Sequence, residues 1–296
     1  MAWRGLHLTQ PARLALADQQ ILITREDGEI RLPLEDIAYM VIDTPQANLS
    51  LPLLSACMEA GLAVIITDPK HLPSGVMLPF HRHFRQGGMA RLQVDQTEPF
   101  RKRLWQAVVR AKIENQAAVL KLLEREGAGA VAAMARLVTS GDQENVEARA
   151  ARAYWARLWP DFRREDEADL RNALLNYGYA VLRACVARAL VGMGFLPAFG
   201  IHHASVTNAF NLADDMLEPF RPFLDLLAWR HLGGVVQGRA LNLAGRQAMA
   251  GAMMENAWMG EDEVTLLVAA EQVAASLARA MEERRVEALV LPRLLA

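Results

Sequence analysis

Short blocks of alternating hydrophobic and polar residues fill the first 95 positions, a pattern that predicts β-strands. Asp27-Gly28 is the clearest hairpin signal among the turns that separate these blocks. Extended segments are predicted at 6–8, 13–16, 21–24 and 29–32, in a meander. They are followed by a strand at 37–42, a helix at 49–60 that ends at Gly61, and an apolar strand at 62–67.

From Pro99 onward the hydrophobic period changes, and the β pattern disappears. Apolar residues recur at helical spacing at positions 100, 104, 107, 108, 111, 118 and 122. Gly87-Gly88 and the polar stretch 93–99 form the natural joint. We therefore expect an α+β protein with a small β-rich domain at 1–95 and a larger, all-α domain at 96–296.

The composition of the chain and its cysteines indicate its cellular compartment. With 52% hydrophobic and 22% charged residues among 296, the chain can build a sizeable core. Cys57 and Cys185 lie in apolar runs without metal or redox spacing, which predicts reduced core residues in a cytoplasmic protein. The start of the chain lacks the apolar region of a signal peptide. The uncharged stretch 189–213 contains proline, histidine and asparagine, so we interpret it as a buried site and not a membrane helix.

The formal net charge of -2 conceals a polarised chain. Residues 78–113 contain eight basic and two acidic residues, whereas residues 250–296 contain eight acidic residues and four arginines. Of the 32 basic residues only four are lysine. Arginine is the better bidentate ligand for phosphate, although a base-composition bias of the genome explains the excess equally well. The basic segment fits a nucleic-acid backbone, although a solvated helix face with ion pairs explains it equally well.

Two motifs have ordinary explanations. Gly127-Ala128-Gly129-Ala130-Val131-Ala132 formally fits a dinucleotide-binding pattern, but it follows a charged helical run and not a strand. We interpret it as a loop between two helices. His81 and His83 could bind a metal, but without a nearby cysteine or carboxylate they are better explained as loop histidines near phosphate.

Three helical segments concentrate polar residues in apolar surroundings. Glu147 lies beside small residues in the segment 145–155, and Asn176 and Gly178 interrupt an apolar helix at 172–182. The third segment, 200–222, contains two histidines, two aspartates and a glutamate, and its prolines predict a helix start near Asp214 or Asp215.

The acidic residues of the third segment have two interpretations. They can serve as an N-cap and dipole compensation at the start of a helix. Alternatively, Asp215 and Glu218 share one helix face, and the preceding loop could bring His203 over it. One imidazole with two or three carboxylates is a ligand set for Mg²⁺ or Mn²⁺.

In their order along the chain, these segments resemble the CRISPR-associated spacer-acquisition integrase, the metal-dependent endonuclease of the adaptation step. The resemblance rests on the β-rich opening, Leu104-Trp105-Gln106, Lys112-Ile113-Glu114-Asn115-Gln116, Asn145 with Glu147, Asn176-Tyr177-Gly178-Tyr179, and His203 followed by the residues 215–222. Phe210-Asn211-Leu212 is similar to the branch found with single-effector, RNA-guided (type II) systems. Ala148 departs from the family, where glycine often follows the glutamate.

The resemblance implies a site and a reaction. The family's catalytic metal ligands fall on Glu147, His203 and Glu218, with Asp215 as a further acidic residue that orients a ligand; His202 is the nearest competitor for the imidazole. With Mg²⁺ or Mn²⁺, the enzyme would join the 3′-hydroxyl of a DNA fragment to a phosphodiester of the CRISPR repeat by transesterification. DNA-backbone contacts are then expected from Arg82, Arg85, Arg101 and Arg103.

The resemblance also implies partners. They are double-stranded DNA fragments and repeat DNA, a homodimer contacting through the β domain, and a small CRISPR adaptation protein that bridges two dimers. The RNA-guided effector nuclease is a further candidate, and no membrane is expected. Two alternatives remain: a hydrolytic metal-dependent nuclease, and a non-catalytic DNA-binding scaffold.

Overall fold

The computed structural model describes residues 2–80, 83–166, 168–232 and 241–294. The strands are β1 (Arg4–Leu8), β2 (Ala12–Ala17), β3 (Gln20–Arg25), β4 (Gly28–Pro33), β5 (Ile37–Ile42), β6 (Ala47–Leu49), β7 (Ala63–Thr67), β8 (Pro73–Met77), β9 (Asn256–Met259) and β10 (Asp262–Thr265). The α-helices are α1 (Leu51–Ala60), α2 (Gln86–Val94), α3 (Glu98–Leu122), α4 (Ala128–Ala135), α5 (Val146–Leu158), α6 (Leu170–Gly192), α7 (Asn211–Leu217), α8 (Arg221–Leu232), α9 (Leu243–Ala250) and α10 (Leu266–Glu283).

The N-terminal strands form two sheets. One has the order β4-β3-β2-β6, and its antiparallel β2, β3 and β4 are the predicted meander. The other has the order β1-β5-β7-β8, in which β1 leaves the meander and pairs in parallel with β5. The short strands β6 and β8 were not predicted, because three to five residues with little alternation give no usable period.

The central strand β5 belongs to two hydrophobic cores. Met40 and Ile42 pack into the core that lies between the N-terminal sheets and α1. Tyr39 and Val41, on the opposite face of the same strand, pack into the large core formed by the helices. Side chains alternate across a strand, so this one strand connects the β-rich part to the helices.

A second connection is polar. Asp43, fully buried just after β5, accepts hydrogen bonds from Arg246 Nε of α9 at 2.7 Å, His71 Nδ1 at 2.8 Å and His7 Nε2 of β1 at 3.1 Å. The hydroxyl of Tyr177 on α6 lies 3.2 Å from His7 Nε2. Because Asp43 has these partners, its pKa stays below its ordinary value although burial alone would raise it.

Helix α6 runs through the large core. By length and composition it could cross a membrane, but 78% of its most apolar window is buried by other elements of the protein. Gly178 lies at a close approach: a Cβ there would come within 2.8 Å of Met249 Sδ and 3.0 Å of Leu224 Cδ2. Packing of α6 against α8 and α9 therefore explains this glycine. Cys57 and Cys185 are buried and unpaired, as predicted.

Three predictions about elements were wrong in detail. The C-terminal part is not all-α, because β9 and β10 form an antiparallel hairpin around Gly260, whose φ is +66°. Gly87-Gly88, expected to break regular structure, lies in the first turn of α2, a helix that tertiary contacts stabilise despite glycine's low propensity; the joint between the two parts stays a prediction. Helix α7 begins at Asn211 and not near Asp214, since the buried Asn211 amide closes the preceding loop by donating to the carbonyls of Ala198 and Ser205.

The other sequence features agree with the structure, with one correction. Gly61 caps α1 in the left-handed conformation, with φ of +75°. The motif at 127–132 follows α3 and not a strand, so it lacks the strand that a dinucleotide site requires. Its interpretation as a loop was wrong in extent, because only Gly127 precedes α4 and residues 128–132 lie in that helix. The mixed α+β class is confirmed, whereas the proposed boundary at residue 95 stays a prediction.

Candidate functional site

A buried carboxylate organises the loop that contains the two neighbouring histidines. Asp215 is fully buried and accepts hydrogen bonds from the backbone N–H groups of Ile201 at 2.6 Å, His202 at 3.1 Å and His203 at 3.0 Å. The same carboxylate contacts His203 Nδ1 at 2.7 Å. Asp215 thus fixes both the loop and the orientation of the His203 ring; its predicted role beside a metal stays a prediction.

The loop is closely fitted around this carboxylate. A Cβ on Gly200 would lie 2.3 Å from the backbone oxygen of His203 and 2.7 Å from Asp215 Oδ2. On the other side, Gln93 of α2 donates to the carbonyls of Leu196 and Phe199 and accepts from the Leu196 N–H. Helix α2 therefore holds the start of the histidine loop in place.

The two predicted glutamates meet at a lysine. Lys112 Nζ of α3 lies 2.5 Å from Glu147 Oε1 of α5 and 2.5 Å from Glu218 Oε2, which follows α7. The first contact is a hydrogen bond, whereas the second is an ion pair without hydrogen-bond geometry. The structure therefore brings Glu147 and Glu218 to one point, and that point is occupied by the ammonium group of Lys112.

Each glutamate is held by its neighbours. The Asp142 carboxylate accepts from the N–H groups of Val146 and Glu147 at 2.9 Å, which caps the first turn of α5. Asn115 of α3 donates to the carbonyl of Pro219, next to Glu218, at 2.8 Å. The positions of both carboxylates are thus determined by side chains outside the pair.

A second cation lies behind Glu218. Arg221 Nε donates to Glu218 Oε1 at 2.8 Å, and its guanidinium carbon lies 4.5 Å from the centre of the Tyr179 ring. Further in, the hydroxyls of Tyr179 and Tyr154 donate to Asp225. Burial raises the pKa of Asp225 to about 7, although these hydroxyls and Arg221 oppose the shift.

The electrostatics keep Glu218 and Lys112 ionised. Burial alone would raise the pKa of Glu218, but Arg221 and Lys112 lower it to about 2. Burial would lower the pKa of Lys112, but Glu218 and Glu147 raise it above its ordinary value. The pKa of His203 is also raised, chiefly by its hydrogen bond to Asp215.

Helix α3 connects the lysine to the histidines. Trp105, seven residues before Lys112, stacks on His202 with ring centroids 4.1 Å apart and an interplanar angle of 0°. Its ring meets His203 edge-on at 5.8 Å. His202, the competitor for the metal-ligand role, is therefore engaged in stacking, while His203 is paired with Asp215.

The predicted ligands fit a divalent cation in chemistry but do not form a ready cage. Within the described ranges, no group of three or more His, Cys, Asp or Glu residues is arranged to hold a metal ion. However, Glu218 Oε2 is buried and, apart from its ion pair with Lys112, has no hydrogen-bond donor. Contact of His203 Nδ1 with Asp215 leaves Nε2 as the ligating nitrogen, the arrangement common for metal-bound histidines. Oxygen and imidazole ligands of this kind suit Mg²⁺ or Mn²⁺.

Two of the predicted DNA-contacting arginines, Arg101 and Arg103, lie on different sides of α3. Arg101 precedes Trp105 by one helical turn and so lies on the side of α3 that faces the histidines. Arg103, two residues further, is exposed on another side, with its guanidinium carbon 5.9 Å from the Phe100 ring. Arg85 is exposed at the start of α2, and Arg82 lies outside the described residues.

Part of the basic segment is engaged by groups of the protein itself. Lys112 is buried between the glutamates, and Arg110 donates to the carbonyl of Val138 at 2.9 Å. Lys102 pairs with Glu98. The count of eight basic residues therefore overstated the free positive charge. His83 stacks on Phe84, and His81 lies outside the described part of the chain.

Sequence reasoning missed the role of Lys112. Its signal was present: the residue lies at helical spacing with the apolar positions 104, 105, 108 and 109, where a lone lysine requires a buried anion. It is also one of only four lysines in a chain whose other basic residues are arginine.

Comparison with known proteins places the chain among CRISPR-associated proteins. Residues 6–235 match the family model described as CRISPR associated protein Cas1. The chain belongs to the Cas1 family.

A relative and two solved structures extend this result. The "CRISPR-associated endonuclease Cas1" of Neisseria meningitidis serogroup C (strain 8013) is 42% identical over 227 residues, which cover 76% of this chain and 75% of that protein. A casposase bound to integration product has a TM-score of 0.77 at 20% identity, over 96% of this chain and 92% of that one. A Cas6-RT-Cas1–Cas2 complex gives 0.75 at 19% identity, with 99% of this chain covering 36% of that chain. At these identities, the two structures show the fold alone.

Proposed function

We propose that this protein is a divalent-metal-dependent DNA integrase and endonuclease that inserts DNA fragments into a CRISPR array. The observation that supports it most directly is the meeting of Glu147 and Glu218 at one cation in a Cas1-family chain, beside a histidine held by a buried aspartate. The casposase with the same fold is bound to integration product, which agrees with strand transfer.

The catalytic residues in this proposal are Glu147, His203 and Glu218, which would hold Mg²⁺ or Mn²⁺. Such an ion, when bound, supplies Lewis acidity to a phosphodiester and lowers the pKa of an attacking hydroxyl. Asp215 contacts His203 Nδ1 and so keeps the ring oriented with Nε2 as the nitrogen left for a metal ion. Arg221 holds one oxygen of Glu218, so only the other oxygen of that carboxylate is left for the ion.

The reaction proposed is transesterification. The 3′-oxygen of a DNA fragment forms a bond to phosphorus in the repeat, the bond from that phosphorus to the repeat's own 3′-oxygen breaks, and the hydroxyl proton moves to solvent or to the leaving oxygen. One phosphodiester replaces another, so no nucleoside triphosphate is consumed.

The test uses a labelled fragment with a free 3′-hydroxyl and a supercoiled plasmid that carries the repeat. Covalent transfer of label to the plasmid is expected with Mn²⁺ or Mg²⁺, and a loss of at least about 100-fold is expected for Glu147→Gln and Glu218→Gln. Glu144→Gln, which changes an exposed carboxylate just before α5, is the matched control. Full strand transfer by both site variants would refute the catalytic assignment and favour a DNA-binding scaffold.

Hydrolysis is the second candidate, because the same ligands can activate water. The name of the Neisseria relative, an endonuclease, favours it. In the same assay, a hydrolase would nick the plasmid without attaching label. Nicking that depends on Glu147 while label transfer is absent would therefore replace integration by hydrolysis.

The DNA surface is proposed at Arg101 and Arg85, with Arg82 and Arg103 as the other candidates. Alanine at Arg101 should weaken DNA binding and reduce the salt slope by about one ion. Arg13→Ala, an exposed arginine on β2, is the control. An unchanged slope for Arg101→Ala would remove this residue from the DNA surface.

Partners and context belong to the same proposal. A homodimer through the β-rich part and a small bridging protein such as Cas2 are proposed; the Cas6-RT-Cas1–Cas2 complex with the same fold supports the second. The type II branch, supported by Phe210-Asn211-Leu212, and a contact with the RNA-guided effector nuclease are also proposed, as is a cytoplasmic location. Co-purification with the neighbouring small CRISPR protein, followed by mass measurement of the complex, tests the assembly.

A further inference from the structure

The ammonium group of Lys112 lies where the carboxylates of Glu147 and Glu218 meet. It is 2.5 Å from an oxygen of each, and only 11% of the lysine side chain is exposed. An ammonium group in such a position is strongly held there, because its departure would leave two neighbouring carboxylates to repel each other.

The two carboxylates cannot bind Lys112 and a divalent ion at the same point. Mg²⁺ and Mn²⁺ bind carboxylate oxygens at about 2.1 Å, so an ion bridging these two oxygens would take the space that Nζ holds. The charges at the site are already balanced. Lys112 and Arg221 supply two positive charges against the carboxylates of Glu147 and Glu218, and Arg221 pairs with Glu218 Oε1. Addition of a divalent ion without release of Lys112 would therefore place three cationic groups around two carboxylates.

We propose that Lys112 is a built-in counter-cation that holds the two glutamates together in the metal-free protein and is displaced when a divalent ion binds. Lys112 thereby acts as a positioning residue: it preserves the ligand geometry before loading and sets the affinity for the metal by competing with it. The inference rests on the proposed metal site.

Two consequences distinguish this role from a structural ion pair. Removal of a competing cation should tighten metal binding, whereas loss of a purely structural pair should loosen it. The lysine side chain is also flexible, so its ammonium should become reactive once it has been displaced.

The first experiment measures Mn²⁺ binding by calorimetry and by electron paramagnetic resonance of free Mn²⁺, without DNA. Lys112→Met should raise Mn²⁺ affinity about tenfold or more and lower the metal-free melting temperature by several degrees, with recovery in saturating Mn²⁺. Lys112→Arg, which keeps the charge, should not raise the affinity. Lys121→Met, an exposed lysine in the last turn of the same helix, should match the unmodified protein.

The second experiment needs no variant and remains decisive where Lys112→Met does not fold. Lysine methylation is mapped by mass spectrometry in the wild-type protein, in which Lys70, Lys102 and Lys121 serve as internal references. Modification of Lys112 should be slow without metal and should rise at least about fivefold with Mn²⁺, because displacement breaks both ion pairs.

The outcomes separate this inference from the proposed function. Wild-type protein that binds no Mn²⁺ would refute the metal site itself. Wild-type protein that binds Mn²⁺ while Lys112 stays unreactive, or a folded Lys112→Met variant with unchanged or weaker Mn²⁺ affinity, would refute displacement alone.

Discussion

Replacement of Asp215 by asparagine tests the structural basis of the histidine loop. The wild-type carboxylate receives four hydrogen bonds: Oδ2 accepts from the N–H groups of Ile201 and His202, and Oδ1 accepts from the N–H of His203 and contacts its ring nitrogen. Asparagine keeps one acceptor oxygen. The NH₂ group of asparagine, which replaces the other oxygen, would face N–H groups that are themselves donors and could not accept from them.

The expected loss in the free energy of unfolding follows from these hydrogen bonds. Two hydrogen bonds to a buried, charged acceptor are lost, and each is worth about 1.5–3 kcal/mol. The loop can relax partly, because the His203 side chain is 43% exposed. A loss of about 3 kcal/mol is therefore expected, which lowers the urea midpoint by about 1 M for an m-value of about 3 kcal/mol/M.

Urea unfolding in EDTA, followed by tryptophan fluorescence, measures this effect without any contribution from bound metal. Asp262→Asn, at an exposed position at the start of β10, is the matched control. A midpoint for Asp215→Asn within about 0.2 M of that control would show that the carboxylate does not hold the loop.

Three further predictions concern other buried contacts. Gly200→Ala should destabilise the protein by at least about 1 kcal/mol and weaken Mn²⁺ binding, since the new Cβ would meet the His203 backbone oxygen; an unchanged melting temperature would contradict this. Burial raises the pKa of Asp225 from 3.8 to about 7, so the folded protein binds this proton more tightly than the unfolded chain does. The unfolding free energy of the wild type, relative to that of Asp225→Asn, should therefore fall by a few kcal/mol as the pH rises from about 4 to about 7. A pH-independent difference in unfolding free energy between these two proteins would refute this assignment. Arg246 and two histidines lower the pKa of Asp43, so the stability that Asp43 contributes is present above pH 3.8 and is lost as the pH falls below that value. Asp43→Asn should remove this pH-dependent contribution. Urea unfolding at pH 7 should show a loss of about 3 kcal/mol for the variant.

Much of the N-terminal fold was predictable because its strands have clear local signals. Ile37–Ile42 is a strand with the predicted limits, and the meander follows the turn residues. The parallel pairing of β1 with β5 was not predictable in this way, since it joins segments about 30 residues apart and no turn specifies it. The hairpin of β9 and β10 was missed because four-residue strands between helices give too little alternation.

The candidate site stays a prediction as a set of residues, and its geometry was not foreseen. The structure brings Glu147 and Glu218 together at Lys112 and pairs His203 with Asp215. What joins the pairs lies on α3, where Lys112 was treated as part of a basic surface. Sequence spacing shows which face of a helix a residue occupies, but it does not show which other helix faces it.

The amide of Gln93 links helix α2 directly to the start of the histidine loop. Its three hydrogen bonds join α2 to Leu196 and Phe199, and the exposed Arg85 immediately precedes α2. A ligand that shifts α2 must therefore shift or strain the histidine loop, and occupancy of that loop must bias α2 by the same free energy. If the proposed metal site and DNA surface hold, binding of a phosphate backbone near α2 and binding of a divalent ion at His203 would be coupled, and each would change the affinity for the other by the same factor.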